Sequence, residues 1–336
     1  MARTWRGRRI PSSVEVGLAN LAVAAVCYGS GQLGLLAGEI GENVSPLWPP
    51  TGVALVALLL YGIRVLPGIA AAAFLTDLPL VPLVGVVMDT GAAAATALAG
   101  YLLLRRVGFR LQIDRLRDAL ALVFLAAFGS TLISSLVGCG VRVYVGQLEP
   151  REFLQVWSVW WTGDAMGILL VTPFLLAVRQ YWRLRHIQWY RYAELGLLLV
   201  ASFGVAWVGT HVMDAIFLTF PIIGWAALRF QLVGVAPCAL IVSVTTADAA
   251  VGAVGPFAGV DVLMRMVSLQ MFNMTLVLGS LLFAAIISQR DRARDEIERT
   301  CSRLGEVIHH LEVSEEEHQV RVKPTGEEPQ RPSETS

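Results

Sequence analysis

Residues 118–140 read DALALVFLAAFGSTLISSLVGCG, and after Asp118 no charged side chain follows until Arg142. A helix needs about 20 mainly apolar residues to cross the hydrocarbon core of a bilayer. This run meets that length, so it reads as a transmembrane helix. Applied outward in both directions, the same criterion finds candidate spans at 14–37, 47–63, 66–80, 83–104, 157–178, 193–211, 215–229, 231–251 and 263–287. The segments 66–80 and 215–229 are short and contain Pro67 and Pro221, so the sequence allows eight spans or ten, with ten preferred. Both counts are even, which puts both termini on one side of the membrane.

Composition agrees. The chain has 336 residues, 55% hydrophobic and only 15% charged, with 26 basic and 26 acidic side chains. A soluble domain carries about 25% charged residues to cover its surface. The shortfall excludes an ordinary cytosolic enzyme and a disordered chain, and the zero net charge excludes a nucleic-acid binder. The fold class is all-α, a polytopic helical membrane bundle.

The arginines orient it, because basic residues are retained on the cytoplasmic side of short loops. With the N-terminus inside, the inner segments hold Arg3, Arg6, Arg8 and Arg9, then Arg64, then Arg105, Arg106, Arg110, Arg115 and Arg117, then Arg179, Arg183, Arg185 and Arg191, and finally Arg229. The outer segments hold only Arg142, Arg151 and Arg265. Both termini are therefore expected in the cytoplasm. The first apolar stretch follows four arginines as in a signal peptide, yet it is long enough to span and shows no A-x-A site, so it is expected to remain as the first helix. Tryptophans at outer ends and an inner group including Trp182 and Trp189 suit interfacial belts.

From Ser288 the composition changes. Residues 288–317 are charged and helix-favouring, with Ile297, Cys301, Leu304, Ile308 and Leu311 at heptad spacing. Two repeats make a short coiled coil or a solvated helix, with Ile297, Leu304, Ile308 and Leu311 as the relay face. The expected organisation is a cytoplasmic basic N-terminus over 1–13, a membrane domain over 14–287, a cytoplasmic charged helix over 288–317 and a disordered tail over 318–336.

Ionisable groups inside apolar spans are costly and point to function. Asp77, Asp89, Asp164, Glu194, Arg229 and Asp248 qualify. Glu194 and Arg229 share a depth at the inner side, which suits a structural ion pair. Asp164, in Trp160-Trp161-Thr162-Gly163-Asp164-Ala165-Met166-Gly167, has no basic partner at its depth. It is expected either as the neutral acid or hydrogen-bonded by Thr51 or the backbone. The run Ser45-Pro46-Leu47-Trp48-Pro49-Pro50-Thr51-Gly52 opens the second span from the same side. Proline is tolerated in a first helical turn, and irregular backbone at membrane depth faces protein or a cavity. These residues read as a capped helix with an aromatic anchor, or as an outward-facing pocket lined by Trp48, Pro49, Thr51, Trp160, Trp161 and Asp164. Gly34 and Gly38 form a G-x-x-x-G pair suited to close helix packing.

Other chemistry is missing from the sequence. Cys27, Cys139, Cys238 and Cys301 form no C-x-x-C pair, and no H-E-x-x-H, P-loop, G-x-S-x-G or dinucleotide fingerprint occurs. No catalytic activity, cofactor or metal is expected.

Several motifs in order carry a resemblance: Pro46-Leu47-Trp48-Pro49-Pro50-Thr51-Gly52, Leu66-Pro67-Gly68, Trp160 to Gly167 with Pro173, Phe220-Pro221, Trp225-Ala226-Ala227-Leu228-Arg229-Phe230, and Gly255-Pro256-Phe257. Over roughly 14–290 the chain resembles the membrane-associated sensor domain of the first type, an integral membrane domain of bacterial signalling proteins. Asp77 and Asp89 depart from the resemblance, standing where it favours neutral polar residues. The resemblance implies a bacterial inner-membrane sensor that precedes a diguanylate cyclase, a cyclic-dinucleotide phosphodiesterase or a histidine kinase. Residues 288–336 hold no G-G-D-E-F run and no kinase nucleotide boxes. The expected partners are therefore the lipid bilayer and a cytoplasmic histidine kinase or cyclic-dinucleotide enzyme acting in trans, with a homodimer as a further expectation and no nucleic acid. Two other readings stand beside the sensor: a transporter of small molecules or ions, and a remnant of a longer receptor.

Overall fold

The computed structural model describes residues 13–36, 45–181 and 189–322; at 262, 307 and from 309 onward it describes the backbone alone. The expected basic N-terminus lies outside the described residues up to Ser12, as do Gly38, Trp182 and the tail from 323. All described regular structure is helical: α1 (Ser13–Leu36), α2 (Pro49–Tyr61), α3 (Leu66–Asp77), α4 (Leu83–Arg106), α5 (Leu116–Tyr144), α6 (Phe153–Tyr181), α7 (Trp189–His211), α8 (Thr219–Val251) and α9 (Val262–Val322). The chain divides into two units, Met1–Ser288 and Gln289–Ser336.

Among the described residues seven helices are long and apolar enough to cross a membrane, all except α2 and α3. This is fewer than the expected ten or eight, for two physical reasons. The first is length. With 13 residues, α2 rises only about 20 Å, against a hydrocarbon core of about 30 Å. It begins on Pro49 and Pro50, whose missing N–H groups need no partner there, and stops at Gly62, whose φ of 76° favours glycine. Asn20 of α1 pins the turn that follows: its side chain donates to the Arg64 carbonyl at 2.9 Å and accepts from the Gly68 N–H at 2.7 Å. Gly31, near the other end of α1, faces both Pro50 and Thr76. Helices α2 and α3 therefore form a short antiparallel hairpin along α1. Every residue of α2 from Gly52 to Leu59 is buried, which makes it the central helix of the bundle.

The second reason is a chain reversal. Ala215, just before α8, donates its N–H to the Gly209 carbonyl at 2.7 Å. Gly255, just after α8, lies against the neighbouring Thr210 carbonyl. A straight helix between those points would hold them roughly 50 Å apart, so α8 folds back on itself. Its non-helical residue is Gln231, with φ 50° and ψ −137°. The expected spans 215–229 and 231–251 are the two legs of this hairpin, counted as one by length alone. At the bend Arg229 Nε lies 2.7 Å from Glu194 Oε1 near the start of α7, and Ser288 donates to Gln231 Oε1 at 2.8 Å.

The surface of the first unit is apolar: Leu21, Val200, Phe203 and Trp207 are exposed. Contiguous apolar surface of this kind is a liability in water and the expected lining against lipid tails. In the second unit α9 stays helical through Val322, past the expected end at 317. Ile297, Leu304 and Ile308 are exposed there; the Leu311 side chain lies outside the described residues.

Candidate functional site

The segment before α2 is extended, and it lies directly on α6. Ser45 Oγ donates to the Leu47 carbonyl at 2.8 Å, and the Trp48 N–H donates to the Gly163 carbonyl at 3.0 Å. Two glycines permit this approach. A Cβ at Gly163 would overlap the Ser45 carbonyl oxygen, and one at Gly167 would overlap that of Trp48. Gly52 meets the Gly167 carbonyl in the same way. Small residues let backbones come this close in a bilayer, and the hydrogen bond to α6 satisfies a donor that lipid could not. Gly34 of the expected glycine pair packs on Trp48 and Pro49.

This crossing places Thr51 beside Asp164. Thr51 Oγ1 donates to Asp164 Oδ1 at 2.6 Å, and Ser134 Oγ of α5 donates to Asp164 Oδ2 at 2.6 Å. The carboxyl is buried, 3% exposed, and ties three helices together. Just beyond it, residues 167–171 form wide π-turns, a distortion frequent at functional sites.

A second polar cluster sits beside the first. Arg142 Nη1 lies 3.2 Å from Asp89 Oδ2, with both side chains largely buried. The guanidinium carbon stands 4.1 Å above the Trp160 ring, a cation–π contact. Trp160 fits there because a Cβ at Gly138 would press into its ring. Asp89 Oδ1 and Thr96 Oγ1 are buried without a hydrogen-bond partner.

Both clusters line one cavity of about 120 Å³, bounded by α1 through α6 at the end of the bundle where α2 begins. Of the sequence-predicted residues, Trp48, Thr51, Trp160 and Asp164 line it. Pro49 and Trp161 do not. Pro49 is turned to Gly34. Trp161 faces the other side of α6, where its Nε1 donates to the Phe128 carbonyl at 3.1 Å and its ring stacks on Trp157 at 5.5 Å. The sequence reading did not place Arg142, Asp77, Asp89 and Ser134 in the pocket, and all four line it. Arg142 served there only to orient the chain; its depth relative to Asp89 was the available signal. Among the described residues no group of three His, Cys, Asp or Glu side chains is arranged to hold a metal ion.

The comparisons follow the same lines. The family described as MASE1 matches residues 21–291, which covers α2 through α6 and α1 from residue 21 onward. A curated relative, "Probable diguanylate cyclase DgcE" of Escherichia coli (strain K12), is 28% identical over 200 residues, 57% of this chain and 17% of its own length. No solved structure matches. With seven membrane-length helices and a family match over residues 21–291, the chain belongs to the MASE1 family of membrane-associated sensor domains.

Proposed function

We propose that the protein is a sensor of the bacterial inner membrane that perceives its stimulus in the cavity around Asp164 and Asp89. The observation that carries this reading is that Trp48 and Thr51 of one quoted motif and Trp160 and Asp164 of another meet, with Asp89 and Arg142, at one cavity inside the region that the family match covers. The bundle crosses the membrane in eight segments, the two legs of α8 counted separately and the short α2–α3 hairpin held within the bundle, and both termini are cytoplasmic. Arginine placement supports that orientation. Of the three basic residues assigned to outer segments, Arg142 is held by Asp89, and Arg265 donates to the Ala250 and Val260 carbonyls. The cavity then faces outward, and α9 carries the signal to the charged helix beyond Ser288. The protein has no catalysis of its own. Its output partner is a separate cytoplasmic enzyme, for which the printed name of the relative favours cyclic-dinucleotide chemistry.

Signalling of this kind requires a stimulus that binds two states unequally. Deleting the gene and restoring either the full chain or residues 1–288 tests the relay, read as the cellular cyclic-dinucleotide pool. The full chain restores the wild-type response; the shortened chain inserts normally and does not. Full restoration by the shortened chain defeats the relay. The helix breaks at Gly62–Val65 and Gln231 together with buried carboxylates are also transporter features. Solute flux in proteoliposomes that is lost in Asp164→Asn would favour transport instead.

A further inference from the structure

Beyond Ser288 the chain continues as a single charged helix with an apolar seam. Ile297, Leu304 and Ile308 are each more than half exposed, and Cys301 is exposed between them. With Leu311 next in sequence, they recur at spacings of 4, 3, 4 and 3. A step of three runs from a to d of a heptad and a step of four from d to a. Cys301 and Ile308 are therefore a positions, and Ile297, Leu304 and Leu311 are d positions. The flanking e positions are Glu298, Gly305 and Glu312, and the g positions are Thr300, Val307 and Ser314. Only Val307 adds an apolar side chain to the seam. A helix that packs on a larger body carries a wider apolar face, whereas a stripe confined to a and d is the seam of a coiled coil.

The seam also selects its partner. A β-branched residue at a with leucine at d favours two parallel strands, and Ile308 stands at a between Leu304 and Leu311 at d. Identical chains insert identically, so two copies in one bilayer send this helix in the same direction, and each begins it at Ser288. A second copy therefore offers parallel, in-register pairing, which sets every seam residue against itself. In that register a g residue approaches the e residue five places on in the other chain. Thr300 meets Gly305 and Val307 meets Glu312, so no like charges are opposed. About two heptads are short for a coiled coil in solution, but a shared bilayer raises the effective concentration of the partner helix.

We propose that the helix beyond Ser288 is a homodimerisation surface, on which two copies of this chain pair in parallel and in register through Ile297, Cys301, Leu304 and Ile308. This goes beyond the sensor reading, because the pairing requires neither a stimulus nor a ligand in the cavity.

Isolated membranes that carry the full chain, oxidised with copper–phenanthroline in air and run on a non-reducing gel, test the proposal. Two thiols join as a disulfide, and copper(II) and oxygen take up the two electrons. Cys27, Cys139 and Cys238 are buried, so a disulfide between copies reports Cys301. The wild type should give a band of twice the chain's mass, and Cys301→Ser should give none. Single cysteines are then placed in the Cys301→Ser background by Ser302→Cys, Leu304→Cys, Glu306→Cys and Ile308→Cys. The seam positions 304 and 308 should crosslink several-fold more than 302 and 306, which point away from the partner. With Cys301 retained, Leu304→Glu puts two like charges in one layer and should weaken the doubled band several-fold, while Glu306→Gln on the outer face should leave it unchanged. Three outcomes overturn the proposal: equal yields at all four positions, which is collision alone; a band that joins the chain to a different protein; and no doubled band at equal insertion. No readout here involves stimulus or output, so failure leaves the sensor reading to the truncation experiment.

Discussion

Gly167→Ala adds one methyl group where the extended segment meets α6. The new Cβ would overlap the Trp48 carbonyl oxygen, and its other neighbours there, Trp48 C and Pro49 N, are also backbone atoms. No flexible side-chain end can yield, so the segment must lift off the helix. Overpacking of a tight site costs about 1–3 kcal/mol. Lifting the segment also breaks the 3.0 Å hydrogen bond from the Trp48 N–H to the Gly163 carbonyl, and an unmet buried donor costs about 1–3 kcal/mol more. The expected loss is about 2–6 kcal/mol. Gly91→Ala is the control, because its Cβ would meet nothing within 4 Å. In a helix interior that change should stabilise by about 0.5–1 kcal/mol. Unfolding in mixed detergent micelles, followed by far-UV circular dichroism, gives both values. A Gly167→Ala protein within about 0.5 kcal/mol of wild type would refute the close crossing, since that is the scale of an ordinary surface change.

Three other outcomes follow from the geometry. Thr51→Val removes the donor to Asp164 Oδ1 and should cost about 1–3 kcal/mol, more than Thr172→Val, whose hydroxyl reaches the Gly52 carbonyl only at 3.4 Å; the same micelle unfolding ranks the two. Arg142→Met strands Asp89 in the interior and should cost about 3–5 kcal/mol, whereas the double change with Asp89→Leu should recover most of that loss, as apolar replacements of buried ion pairs do. Reversing one charge of the Glu194–Arg229 pair should lower the amount of protein in the membrane, and exchanging both residues should restore it, measured by immunoblot of isolated membranes.

The sequence made the chemical class of this fold plain, and some of its detail. The stretch 118–140 is membrane-length in the structure as it is in the sequence. The composition change at Ser288 coincides with the boundary between the two units. Glu194 and Arg229 were paired by depth alone, and they are in contact. Depth along a span is a one-dimensional quantity that hydropathy carries well. Rotation about the helix axis is not, and the errors lie there. Trp160 and Trp161 are adjacent, so about 100° of rotation separates them; one faces the cavity and the other Phe128. Arg142 belongs to α5, which runs to Tyr144, rather than to a loop after residue 140, and its side chain turns inward to Asp89. Gly163 and Gly167 form a G-x-x-x-G pair inside the Trp160 to Gly167 motif, a sequence signal for close backbone approach. Length failed where helices are broken: hydropathy separated the legs of α8 at residue 230, yet only the contacts of Ala215 and Gly255 establish that the chain reverses there.

The central claim is that the state of the cavity is felt beyond Ser288. Of the four cysteines Cys301 is exposed while Cys27, Cys139 and Cys238 are buried, so a thiol-reactive spin label attaches to the tail helix alone. Ala93 lines the cavity, and Ala93→Leu fills part of it as a ligand would. Leu18, exposed on α1, supplies a lipid-facing control in Leu18→Ala. The measurement is the electron paramagnetic resonance spectrum of labelled Cys301 in nanodiscs for wild type, Ala93→Leu and Leu18→Ala. The account predicts an altered spectrum for Ala93→Leu and a wild-type spectrum for the control. Superimposable spectra for all three, with equal insertion, would contradict it.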